Sequence, residues 1–362
     1  MRKVHVALGN RSYDIEIGQG LLPRMGAKIH TLLPQAETIA IVTDSNIGPL
    51  YADTLRQGLE AAGVKAPVLT FAAGEESKNL TTLGQLYEGL AKAGVTRSDA
   101  VVALGGGVTG DMAGLAAATF LRGVAFVQVP TSLLATVDSS VGGKVAVDLP
   151  CGKNLVGAFL QPKAVYIDTD LLQTLPARFL HDGMAEVIKY GCIFDAQLFA
   201  DLGRIHSDQE LLAVAEGIIE RCCNHKARVV EEDERETGRR MLLNFGHTLG
   251  HAVEKAFHYE TYSHGEAVGI GMVLLTQRTE ALGLTEAGTA DRIAALLQQY
   301  SLPTDVQLPQ QEFLQTIAMD KKKRGDSLTL VVLRKIGEGF LHKVAFRDLP
   351  AYLPEEEGHD ER

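Results

Sequence analysis

The 362-residue chain lacks the sequence features of several large protein classes. Its four cysteines have the spacing of neither a disulfide framework nor a zinc ribbon. No apolar run approaches the roughly 18 to 20 residues needed to cross a bilayer, because even the stretch from Ala113 to Val129 is interrupted by Arg122 and Gly123. Basic residues are not in excess, since the net charge is -10, and this argues against nucleic acid or an anionic membrane as the main partner.

The amino-terminal sequence also lacks the apolar core of a signal peptide, because Met1–Val6 goes directly into alternating, strand-like sequence. Adjacent Cys222 and Cys223 lie on a helical pattern and are expected to be small core residues. A reducing cytoplasm is therefore the expected location. Apolar residues make up 46% of the chain, enough for two cores, and its length predicts two domains.

Short apolar runs alternate with helical stretches in the first half of the chain. The run Val101–Leu104 is apolar at every position, which suits a strand buried on both faces of a parallel sheet. Alternating strands and helices predict a doubly wound α/β domain. The expected strands are Thr38–Thr43, Pro67–Phe71, Ala100–Leu104, Ala125–Val129 and Ala164–Ile167.

The pattern changes after about Pro176. Helical periodicity dominates from 181 to 299, and a late strand-like run follows at Leu328–Leu333. We therefore expect an α/β N-terminal nucleotide-binding domain over residues 1–176. A mostly α-helical C-terminal metal- and substrate-binding domain is expected over residues 177–362, with ligand in the cleft between the two.

A glycine loop follows the fully apolar run Val101–Leu104. Gly105, Gly107 and Gly110 meet the G-x-G-x-x-G spacing between a predicted strand and a small, apolar helical stretch. Glycines let backbone N–H groups approach phosphate oxygens closely, and the helix N-terminus adds a favourable dipole. The loop is expected to hold the pyrophosphate of a dinucleotide; the alternative is a tight structural turn.

The acidic ribose partner of the usual dinucleotide fingerprint is missing about 20 residues beyond these glycines, where the sequence is Gln128–Ser132. Asp44, at the end of an expected strand, is a substitute for binding the adenosine ribose. The alternative is that Asp44 caps a helix together with Ser45 and Asn46. The arrangement therefore departs from an ordinary Rossmann domain.

A second glycine-rich stretch contains Asp138, Lys144, Lys153 and Asn154. It does not meet the phosphate-loop pattern G-x-x-x-x-G-K-[ST]. These polar side chains near small, flexible residues suit a polyhydroxylated or phosphorylated ligand, and solvated loop lysines are the alternative.

Histidines and a buried carboxylate point to a metal in the second half. His247 and His251 lie one helical turn apart with Glu254 on the same face, and they are either metal ligands or polar surface. His264 opens a segment that is apolar on nearly every side, so it should lie near the interior. Glu186 lies among apolar neighbours, where an ionised carboxylate requires a cation or a metal. Two histidines and one carboxylate leave open the coordination positions that a catalytic zinc requires.

Several cationic and polar side chains accompany these residues. Each is explained by a solvated charge or a salt bridge when taken alone; together they resemble a clamp for a doubly anionic substrate. They are Lys226, which lies on an otherwise inward-facing helical stripe, Glu236 and Arg240, which lie one helical turn apart, and the cluster Lys321–Arg324.

Together, these stretches resemble the signature blocks of the bacterial 3-dehydroquinate synthase family, in family order and over nearly the whole chain. Many relatives carry two threonines where this chain has Thr131 and Ser132, and the hydroxyl is retained. The blocks are Gly105–Asp111, Pro130–Lys144, Gly152–Asn154, Gly183–Gly191, Asp233–His251 and His264–Val268.

The resemblance implies a dehydroquinate synthase-like fold with a divalent zinc or cobalt ion held by Glu186, His247 and His264. His251 then faces the substrate and relays protons instead of binding the metal. The implied NAD-binding residues are Asp44, Glu75, Lys78, Gly107, Val108, Thr109, Gly110, Asp111, Thr131, Ser132, Lys144, Lys153, Leu171, Leu172, Gln173 and Thr174. The implied substrate and catalytic residues are Asp138, Lys144, Asn154, Lys189, Lys226, Glu236, Arg240, Asn244, His251 and Lys322, with Arg122 from the partner in a homodimer. Lys322 is chosen from Lys321–Lys323, whose register is open.

By the same resemblance, the chain converts 3-deoxy-D-arabino-heptulosonate 7-phosphate to 3-dehydroquinate and phosphate, a step toward aromatic amino acids. NAD oxidises a ring alcohol, phosphate is eliminated, the ketone is reduced again, and an internal aldol reaction closes the ring. Three alternatives are another NAD- and metal-dependent sugar-phosphate cyclase, a polyol dehydrogenase, and a non-catalytic NAD or sugar-phosphate sensor.

Overall fold

The structure is a computed structural model that describes residues 1–318 and 326–355. The chain divides into two compact units. Unit 1 comprises Met1–Pro176 and Leu212–Glu234, and unit 2 comprises Ala177–Leu211 and Arg235–Arg362.

These units differ from the expected domains in one segment, because residues 212–234 group with unit 1. The segment belongs to a long helix, and two of its side chains bond within unit 1. Cys223 Sγ donates to the carbonyl of Thr136 at 3.3 Å, and Lys226 Nζ donates to the carbonyl of Asp138 at 2.7 Å. Helical periodicity cannot reveal such a grouping, since it indicates which face of a helix is buried but not which part of the protein covers that face.

Unit 1 contains a strand-rich α/β fold. Its strands are β1 (Arg2–Val6), β2 (Tyr13–Gly18), β3 (Ile39–Asp44), β4 (Val68–Phe71), β5 (Ala100–Gly105), β6 (Ala125–Pro130), β7 (Lys144–Leu149), β8 (Gly152–Phe159) and β9 (Ala164–Asp168). Its helices are α1 (Leu22–Leu32), α2 (Asp53–Ala61), α3 (Leu80–Lys92), α4 (Gly107–Thr119) and most of α7 (Asp208–Glu232).

Seven of these strands form one sheet in the order β1-β2-β9-β6-β5-β3-β4. All neighbouring pairs are parallel except β1 with β2. Every residue of β3 and β5 is buried, as their apolar sequences predict for strands covered on both faces. The expected parallel α/β domain is therefore confirmed.

Helices cover both faces of the sheet at β3. Ile39 and Ile41 pack with Leu55 and Leu59 of α2, whereas the alternating residues Ala40 and Val42 pack with the cores of α3 and α4. The chain leaves β3 for β4 on one side, and β5 lies on the other. The gap between the carboxyl ends of β3 and β5 is therefore the topological switch point, where doubly wound sheets bind ligands.

The second glycine-rich stretch is more ordered than a loop. β7 and β8 pair as an antiparallel ribbon, with Lys144 opposite Phe159 and Leu149 opposite Gly152. Exposed and intermediate residues fill β8, so its sequence carries little of the alternation that marks a half-buried strand. Pairing with β7 is what makes it a strand.

Unit 2 is mostly helical, which confirms the second part of the fold prediction. Its helices in the described residues are α5 (Ala177–Phe194), α6 (Ala196–Leu202), α8 (His247–Ala256), α9 (His264–Ala281), α10 (Thr289–Gln299) and α11 (Gln310–Ala318), with the first residues of α7. Its strands β10 (Ser327–Lys335) and β11 (Glu338–Ala345) are antiparallel. Among residues 1–318 and 326–355, no helix combines the length and the apolar character that a membrane span requires.

Candidate active site

The glycine loop of unit 1 lies at the switch point of the sheet. β5 ends at Gly105 and α4 begins at Gly107, so the N-terminus of α4 follows the strand after a single residue. Thr109 Oγ1 donates to Asp44 Oδ2 at 3.0 Å, which joins this loop to the end of β3. Exposed backbone N–H groups at a helix N-terminus suit an anion. This geometry suits the pyrophosphate that the sequence predicts at the loop, and the assignment stays a prediction.

Asp44 is buried and bonded to protein groups. Its Oδ1 accepts from the amides of Asn46 and Ile47 at 2.9 and 3.0 Å, in addition to the Thr109 bond to Oδ2. These bonds hold the turn that follows β3, and the next helical segment begins only at Gly48, with Ile47 as its N-cap. A role toward the adenosine ribose stays a prediction.

Lys78 connects predicted nucleotide-binding and substrate-binding residues within unit 1. Its Nζ lies 2.7 Å from Asp111 Oδ2 and donates to Asn154 Oδ1 at 2.6 Å. Glu75 Oε1 lies 3.9 Å from Lys78 Nζ and 3.8 Å from Lys153 Nζ. Burial acts to lower the pKa of Lys78, but Asp111 and Glu75 outweigh it and raise that pKa. Lys78 therefore stays a cation at the centre of this group.

Asp138 and Lys226 form another contact inside unit 1. Lys226 is 5% exposed, and its Nζ lies 2.9 Å from Asp138 Oδ1. The side chain expected on an inward face of α7 is thus buried and paired. The two residues are brought together although 88 positions separate them in sequence.

The remaining predicted residues of unit 1 lie at several places. Thr131 N donates to Gly105 O at 3.0 Å, which puts the Thr131–Ser132 pair beside the glycine loop. Leu171–Thr174 belong to a short 3-10 helix after β9, where Tyr51 Oη contacts Thr174 Oγ1. Arg122 is exposed in a turn and has a φ of 68°.

Three side chains from three helices of unit 2 form the candidate metal site. Glu186 of α5, His247 of α8 and His264 of α9 have ligand atoms that all lie within 4.8 Å of one another. Glu186 Oε1 is 3.5 Å from His247 Nε2 and 3.4 Å from His264 Nε2. Two ligands about 2.0–2.1 Å from a tetrahedral zinc ion are separated by roughly 3.4 Å. Both distances from the Glu186 carboxylate to the histidines therefore fit a divalent ion of that size.

The electrostatics of the cluster differ between the two histidines. Burial and the charge of Lys189, which also contacts the Glu186 carboxylate, lower the pKa of His247 to about 3. Burial acts in the same direction on His264, but the nearby carboxylates of Glu186 and Glu254 outweigh it and raise the pKa of His264 to about 10. The two carboxylates thus favour positive charge on the His264 ring.

Backbone contacts orient His247. Its Nδ1 lies 3.1 Å from the carbonyl oxygen of Phe245, which leaves Nε2 directed toward Glu186. The preceding Gly246 has a φ of 80°, a conformation that favours glycine. A Cβ on Gly271 of α9 would lie 2.1 Å from the carbonyl oxygen of Gly246, so these glycines let α8 and α9 approach closely.

Residues of α5 hold the first turn of α9. Asp182 Oδ1 accepts from Gly265 N at 2.6 Å, and Arg178 bonds both carboxylate oxygens of Glu266 at 3.0 and 2.8 Å. Arg178, Asp182 and Glu186 are spaced by four residues and thus share one face of α5. This face fixes the start of α9, and with it His264, relative to Glu186. Asp182 was not among the predicted site residues, although an acidic residue one helical turn before a buried glutamate could have indicated it.

Replacing Asp182 with alanine should weaken zinc binding as well as stability. Loss of the acceptor for Gly265 N–H is expected to cost about 1–2 kcal/mol, as for other helix caps, and to loosen the first turn of α9. Thermal unfolding and zinc titration of the same preparations measure the two effects. Asp195→Ala is the matched control, because Asp195 Oδ1 caps α6 by accepting from Leu198 N at 2.9 Å. It should lose similar stability and keep its zinc affinity; equal losses of affinity in both variants would contradict a specific role for Asp182.

Other predicted residues of unit 2 have varied surroundings. The side chain of His251 is 61% exposed and lies outside the three-residue cluster, one helical turn after His247. Arg240 is 1% exposed, and Asn244 Nδ2 donates to Glu236 Oε1 at 2.9 Å. Lys322 and the rest of the basic cluster 321–324 lie outside the described residues.

Curated relatives align with nearly the whole chain. The 3-dehydroquinate synthase of Clostridium acetobutylicum is 48% identical over 354 residues, which are 98% of this chain and 99% of the relative. The 3-dehydroquinate synthase of Streptococcus sanguinis is 45% identical, over 97% of this chain and 99% of the relative.

Solved structures share the fold. A 2-deoxy-scyllo-inosose synthase complexed with carbaglucose-6-phosphate, NAD+ and Co2+ matches with a TM-score of 0.84 at 26% identity, covering 97% of this chain and 99% of that one. A 2-epi-5-epi-valiolone synthase from Streptomyces hygroscopicus with NAD+ and Zn2+ bound matches with a TM-score of 0.84 at 28% identity, covering 96% and 97%. A probable glycerol dehydrogenase from Sinorhizobium meliloti, 16% identical with a TM-score of 0.62 and coverage of 86% and 89%, shares the fold alone.

The chain thus combines two units. Unit 1 has a doubly wound α/β fold of the kind that binds nucleotides, and unit 2 is helical and carries the candidate metal centre. The family models for the 3-dehydroquinate synthase N-terminal and C-terminal parts match residues 68–182 and 183–323. The chain belongs to the 3-dehydroquinate synthase family. The resemblance noted in the sequence is confirmed.

Proposed function

We propose that this chain catalyses the 3-dehydroquinate synthase reaction, the conversion of 3-deoxy-D-arabino-heptulosonate 7-phosphate to 3-dehydroquinate and phosphate. The observation that carries the proposal is the placement of Glu186, His247 and His264 at zinc-ligand spacing in a member of this family. The enzyme is a phosphate-eliminating lyase that depends on NAD and one divalent metal, zinc or cobalt.

Two groups that the protein binds would supply part of the chemistry. When bound, NAD supplies a hydride acceptor, and the divalent ion supplies Lewis acidity that lowers the pKa of substrate hydroxyls. The Glu186–His247–His264 cluster would hold the ion. Three protein ligands leave at least one coordination position open for substrate.

The nucleotide is assigned to unit 1. The N–H groups of the Gly107–Asp111 turn would bind the pyrophosphate, because they lie at the start of α4 and at the switch point of the sheet. Asp44 would bind the adenosine ribose while it caps its own turn. The further proposed contacts are Glu75, Lys78, Thr131, Ser132, Lys144, Lys153 and Leu171–Thr174.

Charged residues would bind the anionic substrate. A phosphate and a carboxylate on one small molecule suit several fixed cations, which hold the reacting atoms in place while the molecule rearranges. His251, one turn beyond His247 and largely exposed, is the proposed proton relay for a substrate hydroxyl. The further proposed substrate contacts are Asp138, Lys144, Asn154, Lys189, Lys226, Glu236, Arg240, Asn244 and Lys322.

We also propose that the chain acts as a cytoplasmic homodimer in which Arg122 reaches the substrate of the second copy. Its exposed position in a turn of unit 1 supports this role. Leu121 and Arg122 both have positive φ, so the turn holds an unusual backbone conformation.

Phosphate release tests the proposed function directly. Purified protein supplied with NAD and zinc or cobalt is expected to release inorganic phosphate from 3-deoxy-D-arabino-heptulosonate 7-phosphate with no NADH accumulating at steady state. Phosphate is measured colorimetrically and NADH by its absorbance in the same reaction. Metal-loaded protein that releases no phosphate would refute the assignment.

Another sugar-phosphate cyclase activity is the second candidate, favoured by the likeness to 2-deoxy-scyllo-inosose and 2-epi-5-epi-valiolone synthases. Buried Arg240 and Lys226 favour a substrate that carries a carboxylate. A keto-sugar phosphate without the carboxylate is therefore expected to be a poor substrate, and preference for it would favour the second candidate. Accumulating NADH would instead indicate a polyol dehydrogenase.

A further inference from the structure

Glu254 is a buried carboxylate beside the candidate metal site. It lies on α8, seven residues after His247 and three after His251, and its side chain is 3% exposed. Its Oε1 lies 3.5 Å from Nδ1 of His264, and its Oε2 lies 3.9 Å from Nε2 of His251. Its nearer contact is with a cluster residue on another helix.

The two ring nitrogens of His264 face two different carboxylates. Nε2 lies 3.4 Å from Glu186 Oε1, on the side where the ion would be, and Nδ1 faces Glu254. His247 has a different partner behind it, because its Nδ1 faces the neutral carbonyl oxygen of Phe245 at 3.1 Å. At Nδ1, the ring nitrogen away from the ion, His264 therefore faces a charged carboxylate, whereas His247 faces a neutral carbonyl group.

A carboxylate behind a metal-bound histidine fixes which nitrogen carries the proton, sets the ring orientation, and makes the other nitrogen a stronger ligand. We propose that Glu254 is the positioning residue of this metal site and acts through His264. The inference rests on the proposed metal site and adds a residue that contacts neither metal nor substrate. Since Glu254 lies closer to His264 than to His251, the main effect is assigned to His264.

Position in the fold supports the assignment. His264 is the first residue of α9, so its ring projects from a helix end and is not confined by a preceding turn. Asp182 and Glu266 hold the backbone of that turn through Gly265 and Ser263 N–H groups. Glu254 contacts the ring itself, through Nδ1, whereas Glu186 faces Nε2.

Zinc affinity measured on the whole protein tests the proposal. Metal-free protein is titrated with Zn2+ in competition with a chromophoric chelator, without substrate or NAD. Glu254→Gln keeps the size of the side chain and removes its charge, and it is expected to weaken zinc binding by about tenfold; Glu254→Ala should weaken it by about a hundredfold. Glu260→Gln is the control, because it makes the same change at an exposed glutamate four residues beyond the end of α8. This variant should bind zinc like the wild type.

A second readout separates positioning from loss of structure. Each variant is checked for wild-type far-UV circular dichroism before titration, and the visible absorption of the Co2+-loaded protein reports the geometry at the ion. We expect Glu254→Gln to fold, to bind cobalt at high concentration, and to give altered d–d bands. A folded Glu254→Gln protein with wild-type zinc affinity and an unchanged cobalt spectrum would overturn the inference. Failure of the wild type to bind either ion would instead refute the proposed metal site.

Discussion

The Glu186→Ala and His247→Ala variants are expected to retain no zinc after gel filtration and to release phosphate about a thousandfold more slowly than the wild type. The metal contributes several kcal/mol of charge stabilisation in such reactions, and each 1.36 kcal/mol corresponds to roughly a tenfold change in rate. Glu186→Ala also removes the carboxylate that contacts buried Lys189. Breaking a buried ion pair costs about 3–5 kcal/mol, so this variant should also unfold at a lower temperature. Metal content by atomic emission, phosphate release and Tm are measured on the same samples.

His251→Ala is the matched control for the metal ligands. Its side chain is exposed and lies outside the cluster, so the variant should keep its zinc and its Tm. Loss of a proton relay typically slows turnover by about a hundredfold or more, and phosphate release should fall accordingly. If His251→Ala loses zinc, a His247–His251 pair binds the metal and the three-residue cluster is the wrong ligand set.

Gly271→Ala is expected to destabilise unit 2 by about 3 kcal/mol and to weaken zinc binding. The added Cβ would lie 2.1 Å from Gly246 O and 2.8 Å from Gly250 N. Both are backbone atoms: Gly246 directly precedes α8, and Gly250 lies within it. Overpacking against backbone cannot be relieved by a rotamer change, and it costs about 1–3 kcal/mol or more. Relief requires α8 and α9 to separate, which moves His247 away from His264. Chemical denaturation and zinc titration measure the two consequences.

Gly84→Ala is the control for a helical glycine. A Cβ at Gly84 on α3 would meet nothing within 4 Å. Alanine in a helix interior is about 0.5–1 kcal/mol more favourable than glycine, so this variant should be as stable as the wild type or slightly more stable. Its zinc affinity should not change. Equal stability of Gly271→Ala and Gly84→Ala would contradict the packing explanation.

Local sequence patterns predicted most of unit 1. β3, β5 and β9 match the expected runs to within a few residues, since strands buried on both faces are continuously apolar. The glycine loop was recognisable because its spacing, its strand and its helix are adjacent in sequence. β8 and β11 were not predicted, because both are largely exposed and depend on pairing with a neighbouring strand.

The long helix α7 and the metal site show where local patterns stop being informative. Periodicity identified an inward-facing Lys226 but not its partner Asp138, 88 residues away. It also favoured His247 with His251, because residues one turn apart are neighbours on any helix. His264 was predicted as a metal ligand only through the family resemblance. A resemblance carries information about contacts between distant residues, and the pattern of a single helix does not.

Sequence patterns were enough to predict the α/β and helical halves, the glycine loop, the family, and the residue types available for a metal and for anions. Which side chains meet depends on how the helices pack. Glu186 and His264 are 3.4 Å apart because Asp182 holds the start of α9 on α5. His247 joins them because Gly246 and Gly271 let α8 and α9 approach closely. Those contacts join segments far apart in the chain, and their spacing is set by helix packing, which no local period encodes.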